Sequence, residues 1–338
     1  MALLCGVAVD DMLKVRGRRG FGVSAAVARG DEVETFCAGS GHFGQDFPVN
    51  QDMLFQAGSV SKPMFALTVL RLVDQGRIDL EADLSGVLSD VVKGPVTFPA
   101  LMSHTAGFNV GGFGGYRARH RQLTLEDVVQ GRGNSPAVRR TMPDGAQVSY
   151  SGGGVTLAEL AFTRLTGLTL REAFAREVAA PLGLTRTGYF QPLDDALLPN
   201  AAFGGLLGLW EDPRRGYHYY PEHAAAGLWT TPAELCRIGI ALSRSVREGG
   251  LLARETARRM VTPVRDNAAL GIFRQADLPD VAGHGGENRG FLTSWSFSLA
   301  EDRCAAVMIN RAGRATSRRL NEAGKALLLA EARRKVRD

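Results

Sequence analysis

The chain has 338 residues, 45% of them hydrophobic and 22% charged, and a formal charge of +5. That length supports an independent core, and the composition excludes a disordered or fibrous chain. The basic residues form short runs near the termini (Arg16, Arg18 and Arg19; Arg333, Arg334 and Lys335) rather than a stripe with interleaved aromatics, so no nucleic-acid partner is expected.

Residues 4–15 are expected to form a first helix. The opening segment lacks a basic region ahead of its short apolar stretch, and no run of about 18 apolar residues occurs. Neither a signal peptide nor a membrane helix is therefore expected, and the cytoplasm is the expected compartment. FGVSAAVARG and DEVETFCAGSG read as two strands joined at Gly30 and Asp31, a hairpin signal. From Ser59 to about Gly76, apolar residues cover too much of a helix circumference for a surface element, so a buried helix is predicted. Pro63 is tolerated only in a first turn, which puts Ser59 at the helix N-terminus.

LTLEDVVQGR, VTLAELAFTRLTG, LREAFAREVAAPLGL and TPAELCRIGIALSRSV follow with helical periodicity. AGFNVGGFGGYRARH has the glycine and aromatic content of a loop over a cleft or of a plain surface turn. After residue 265, ALGIFRQ, GFLTSWSFSLA and DRCAAVMINRA read as strands, and 316–336 as a helix. The expected class is α+β: an antiparallel sheet from both ends of the chain (1–80 and 266–338), flanked by N- and C-terminal helices, with a mostly helical domain (81–265) inserted and the active site between them. Cys5, Cys37, Cys236 and Cys304 lie far apart without a CxxC pair, and are expected to be reduced and mostly buried.

The chemistry starts at AGSVSKP. Ser59 and Lys62 stand three residues apart, which on a helix brings both side chains to one face. A nucleophile then has a base beside it. A free lysine titrates near about 10.4, so this role requires burial or a cationic neighbour. The helix N-terminus adds a positive field that favours an alkoxide at Ser59. Ser-x-x-Lys alone is common by chance, and an ordinary helix start reads the same way. YSGGG at Tyr150 and GHGGENRGF around His284 give it company.

This triplet of motifs resembles the class C β-lactamases, the D-alanyl-D-alanine peptidases and related esterases. Ser59 to Lys62 matches the first motif, Tyr150 the tyrosine of Tyr-x-Asn, and His284 to Gly286 the place of Lys-Thr-Gly, in a His-x-Gly form. LMSHTAGF, PLGLTRTGYF and AAAGLWTTPAEL resemble linking segments, extending the likeness over about 20–330. The resemblance implies that Ser59 attacks a carbonyl, Lys62 accepts its proton, and Tyr150 relays a proton to the leaving group. It also implies an oxyanion hole formed by the backbone N–H groups of Ser59 and Glu287, and no cofactor.

Two departures redirect the substrate. Gly152 replaces the asparagine that would hold an acylamino group, and His284 replaces a lysine that would attract a carboxylate, though it could still hydrogen-bond Tyr150. Glu287 and Arg289 add opposite charges near the pocket. A small ester, thioester or amide is the expected partner, with an amine or alcohol as a possible acyl acceptor. The alternatives are a D-alanyl peptidase or β-lactamase, and an inactive binding protein of the same fold. His104 is expected to hold a loop by hydrogen bonds. His218 and His223 lack a metal-ligand pattern, so no metal is expected, and Tyr219 and Tyr220 are as consistent with lining the cleft as with packing. No GxSxG elbow or P-loop is present.

Overall fold

Val23–Arg29 and Glu32–Ala38 form the expected hairpin, in register from Val23 opposite Ala38 to Arg29 opposite Glu32. The computed structural model describes residues 3–15, 20–42, 45–117, 123–204 and 216–334. Arg16, Arg18, Arg19, Lys335, the side chains of Arg333 and Arg334, and 118–120 of the glycine-rich loop lie outside the described residues.

The hairpin joins strands from the other end of the chain in a six-stranded sheet, in the order Glu32–Ala38, Val23–Arg29, Arg303–Ile309, Phe291–Ser298, Leu278–Asn288, Phe273–Gln275. All neighbours are antiparallel. Alternate side chains on a strand point to opposite faces. Val23, Ala25, Val27, Ala305, Val307 and Ile309 bury on one face with Leu320 and Leu327 of the C-terminal helix Arg314–Arg334. Ala26, Ala28, Cys304, Ala306 and Met308 bury on the other with Leu235 and Ile238 of the helix Pro232–Glu248. Both faces are covered, so these strands are apolar at nearly every position.

The middle of the chain is helical as the periodicity predicts. Each of Leu125–Val129, Gly152–Thr166, Leu170–Phe174 and Pro232–Glu248 starts at a Ser or Thr whose side chain accepts from a backbone N–H of the first turn. Two of these, at Thr124 and Thr169, are capping boxes.

Two expectations are corrected and one element is added. The helix over 4–15 shrinks to Val9–Leu13, because Cys5 and Gly6 adopt positive φ and Lys14 ends the helix in a left-handed cap. Strand ALGIFRQ is reduced to Phe273–Gln275. Periodicity assigns no element to 278–288; the resemblance puts Glu287 at a strand edge, and an eleven-residue strand, Leu278–Asn288, carries it together with His284. All four cysteines are free; Cys236 and Cys304 are buried, whereas Cys5 and Cys37 are only partly so. No described helix is long and apolar enough to cross a membrane.

Candidate active site

Ser59 sits in a single 3-10 turn, Gly58–Val60, that runs directly into the helix Ser61–Asp74. Buried hydrogen bonds fix this junction. The Ser61 hydroxyl donates to Gly58 O (2.6 Å) and accepts from Leu228 N (2.9 Å), and Tyr189 Oη donates to Ser61 O (2.9 Å). Beyond it the helix is buried on nearly all sides, with the Phe65 ring edge-on to Phe162.

Lys62 is 2% exposed, and its Nζ donates to Ser59 Oγ at 2.9 Å and to Ala225 O at 2.8 Å. The expected contact between Ser59 and Lys62 is therefore formed. The second acceptor is a backbone carbonyl of the short helix His223–Ala226, which carries no side-chain signal in the sequence. Lys62 Nζ also lies 5.0 Å from the centre of the Tyr150 ring, so the structure gathers all three residues.

The Leu278–Asn288 strand closes this side. Its pairing with Phe273–Gln275 ends at Gly283, leaving 284–288 facing the Ser59 turn. The approach is between backbones. A Cβ on Gly286 would stand 1.9 Å from Ala57 O and 3.2 Å from Ser59 N. Gly58 has φ +53°, and a Cβ there would stand 2.6 Å from the Glu287 nitrogen. Only glycine fits at 286, and the strand backbone at Gly286 and Glu287 lies against the Ser59 turn. Asn288 anchors the strand end, donating to Gln56 Oε1 (2.9 Å) and Ala226 O (3.0 Å). The Glu287 and Arg289 side chains are exposed beside the site.

Tyr150 is 38% exposed, and no described residue hydrogen-bonds its phenol oxygen. Rings hold it instead: His104 at 4.4 Å, His284 at 6.0 Å and Phe273 at 6.3 Å between centroids. The expected hydrogen bond from His284 to Tyr150 is not formed. His284 Nδ1 faces Gly285 O, which can only accept, so Nδ1 carries the proton and Nε2 is a buried acceptor without a described partner. Burial, reinforced by the charge of Lys62, lowers the His284 pKa to about 3. The imidazole is neutral.

His104 holds its loop by hydrogen bonds, as expected, but it also belongs to the site. Its pKa is lowered to about 3 by burial, then by Lys62 and His284. Gly152 opens the helix behind Tyr150, and a Cβ there would meet the Phe113 ring at 3.0 Å, so an aromatic side chain borders the face where the family asparagine is missing. Tyr219 and Tyr220 are buried in packing: Tyr219 lies against Tyr116, and Tyr220 Oη accepts from Arg289 N. His218 and His223 are turned to other partners, Gly114 O and Glu159. Among the described residues no group of three or more His, Cys, Asp or Glu side chains converges as metal ligands would.

Glu222, Phe273, Ala225 and Asn288 are site neighbours that sequence reasoning missed. Glu222 is fully buried with no other described residue hydrogen-bonded to its oxygens, and burial pushes its pKa up to about 8 while its own backbone N–H and then the charge of Lys62 draw it back.

A family model described as Beta-lactamase matches residues 9–330. The chain belongs to the beta-lactamase family. Within it, the chain is 30% identical over 190 residues to the esterase EstB of Burkholderia gladioli, covering 52% of this chain and 48% of that protein. It is 28% identical over 207 residues to penicillin-binding protein 4 of Amycolatopsis lactamdurans, covering 57% and 50%. The match thus spans about half the length of each relative. Among solved structures, the D-amino acid amidase of Ochrobactrum anthropi SV3 superposes with a TM-score of 0.79 at 19% identity, covering 98% of this chain and 97% of that one, a likeness of fold.

Proposed function

We propose that the protein is a serine-dependent acyl-transfer enzyme acting on a small ester, thioester or amide. The observation that carries this reading is the 2.9 Å hydrogen bond between Lys62 Nζ and Ser59 Oγ, made by a buried lysine to a half-buried serine whose turn packs against the backbone of Gly286 and Glu287. Ser59 Oγ attacks the carbonyl carbon as its proton passes to Lys62 in the amine form. The negative charge on the carbonyl oxygen is met by the N–H groups of Ser59 and Glu287, each such donor being worth about 2.7–4 kcal/mol. Collapse of the tetrahedral adduct breaks the bond to the leaving group, which takes a proton relayed from Lys62 through Tyr150. The ester left on Ser59 is then cleaved by water, giving hydrolysis, or by an amine or alcohol, giving acyl transfer.

Two features weigh against a D-alanyl peptide or a β-lactam as substrate. A neutral His284 offers no fixed charge to a carboxylate, and Gly152 offers no amide to an acylamino group. A plain acyl group beside Phe113 suits the site better.

A fluorophosphonate probe tests the nucleophile: the wild type is labelled and Ser59→Ala is not. Labelling of neither protein rejects the reading in favour of a binding module. Rapid turnover of a chromogenic cephalosporin at low enzyme concentration overturns the substrate class, and mass spectrometry of the trapped acyl enzyme identifies the acyl group.

A further inference from the structure

Tyr150 poses a physical problem. A residue that relays protons must stay within a few tenths of an ångström of its partners, yet this one is more than a third exposed and its phenol oxygen has no hydrogen bond to a described residue. Something other than its own polar group must hold it.

His104 holds the Ser149–Ser151 segment at three points. Its carbonyl accepts from Ser149 N at 2.8 Å, and its Nδ1 accepts from Ser151 N at 3.2 Å, so the residues before and after Tyr150 hang from one side chain and its own backbone. Its ring lies 4.4 Å from the Tyr150 ring, tilted by 37°, and is backed by Phe273 at 5.8 Å in a nearly parallel stack. His104 adopts φ +62°, a left-handed conformation rarely taken by a residue with a side chain, and it is 2% exposed. That conformation belongs to the loop that serves Ser149 and Ser151 at once.

The hydrogen bond also sets the charge. A backbone N–H can only donate, so His104 Nδ1 is bare and the ring proton is on Nε2, which is buried without a described partner. A protonated ring would set Nδ1–H against Ser151 N–H and release the second anchor. Lys62 and His284 are the titratable groups that act on the ring electrostatically, and Tyr150 is in ring contact with it. His284 is itself neutral, and the charge of Lys62 favours the bare form.

We propose that His104 is the positioning residue of the proton relay: as a neutral imidazole it suspends the Ser149–Ser151 backbone and fixes the Tyr150 ring over Lys62. This rests on the role given to Tyr150 above, and the test separates the two.

A proton relay to the leaving group matters most when that group is a poor one. Ethyl butyrate and nitrophenyl butyrate share an acyl group and differ in this respect. His104→Gly relieves the left-handed φ while removing the ring and the acceptor. It is expected to lower kcat on ethyl butyrate by about a hundredfold with KM little changed, and on nitrophenyl butyrate by less than about fivefold. His104→Asn tolerates the same φ and offers Oδ1 to Ser151 N–H. It should recover ethyl butyrate turnover to within about tenfold of wild type, since it restores the anchor without the ring. Tyr150→Phe should show the selective pattern of His104→Gly, and the double variant should be no slower than Tyr150→Phe alone.

Equal losses on the two esters, or additive losses in the double variant, overturn the proposal as a general structural effect. If Tyr150→Phe shows the selective pattern and the His104 variants do not, only the role of His104 falls. If Tyr150→Phe leaves both esters unchanged, the reading of Tyr150 falls and the proposal with it. Should His104→Gly fail to fold, His104→Asn decides: full activity on both esters, or equal losses, rejects the ring clamp.

Discussion

Ser59 and Tyr150 face the same lysine, but the walls that present them are built differently. On the Ser59 wall, backbone packs on backbone, with Gly286 pressed to Ala57 O and Gly58 to the Glu287 nitrogen. On the Tyr150 wall, an exposed ring leans on His104, Phe273 and His284, and its neighbours hang from His104. The difference fits the roles proposed for the two walls. Donors aimed at a developing oxyanion are effective because they do not reorganise, and a rigid backbone provides that. In the proposed relay, a phenol clamped through its ring keeps its place over Lys62 while its oxygen stays open to a partner in the cleft.

The Ser59 wall should therefore break at a single methyl group. Gly286→Ala places a Cβ 1.9 Å from Ala57 O, where only movement of a backbone can make room. A displacement of about 1 Å at a reacting centre costs about a hundredfold, and that is the expected fall in the fluorophosphonate labelling rate. Gly285→Ala is the control next door. Its Cβ would meet nothing closer than Thr293 O at 3.8 Å, so labelling should stay within about twofold of wild type, the level expected where no overpacking arises. Equal rates for the two variants would show that backbone interlock is not what holds the nucleophile.

The Tyr150 wall should yield more gently. Phe273 backs both the His104 and the Tyr150 rings, and aromatic pairs are worth about 0.5–1.5 kcal/mol each beyond area, so Phe273→Ala should slow turnover of an alkyl ester by about tenfold. Its effect on the labelling rate should be smaller than that of Gly286→Ala. The reverse order would mean that Ser59, not Tyr150, depends on the rings.

The same contrast explains what was legible in the sequence. The hairpin could be read because Gly30 and Asp31 interrupt two strand-like runs, and the Ser61–Asp74 helix because its apolar residues run all round with Pro63 in its first turn. Ser59, Lys62 and Tyr150 were found through side-chain motifs, and the structure brings them together. The Leu278–Asn288 strand was legible only through the motif resemblance, which put Glu287 at a strand edge, because HGG is a poor strand former by propensity; its glycines answer to Ala57 and to neighbouring strands, which are distant in the chain. Ala225 could not be read at all, since a carbonyl acceptor leaves no mark on residue type. His104 was legible as a loop anchor, but its ring contact with Tyr150 exists only once the loop and the Gly152–Thr166 helix are packed.

The smallest expected effect separates the walls by their response to pH. Around Tyr150, His104 and His284 are held neutral with pKa values near 3, below the ordinary 6.5. The unfolded chain binds more protons than the folded one between those values, so these imidazoles favour the fold fully above about 6.5 and cost stability as pH falls toward 3. Glu222, buried within electrostatic reach of Lys62, behaves in the opposite way. Its pKa is raised from 4.5 to about 8, so the folded state holds the extra proton between these values. Its contribution is fully present below 4.5 and is lost as pH rises through 8. Glu222→Gln keeps the shape of the neutral acid and removes the ionisation. The variant should melt with the wild type at pH 4.5 and above it at pH 8.5, by roughly 2–4 °C for each kcal/mol of carboxylate burial relieved. A difference in melting temperature that does not grow with pH would mean that Glu222 finds a partner for its charge, and that the lysine side of the cleft carries no buried acid.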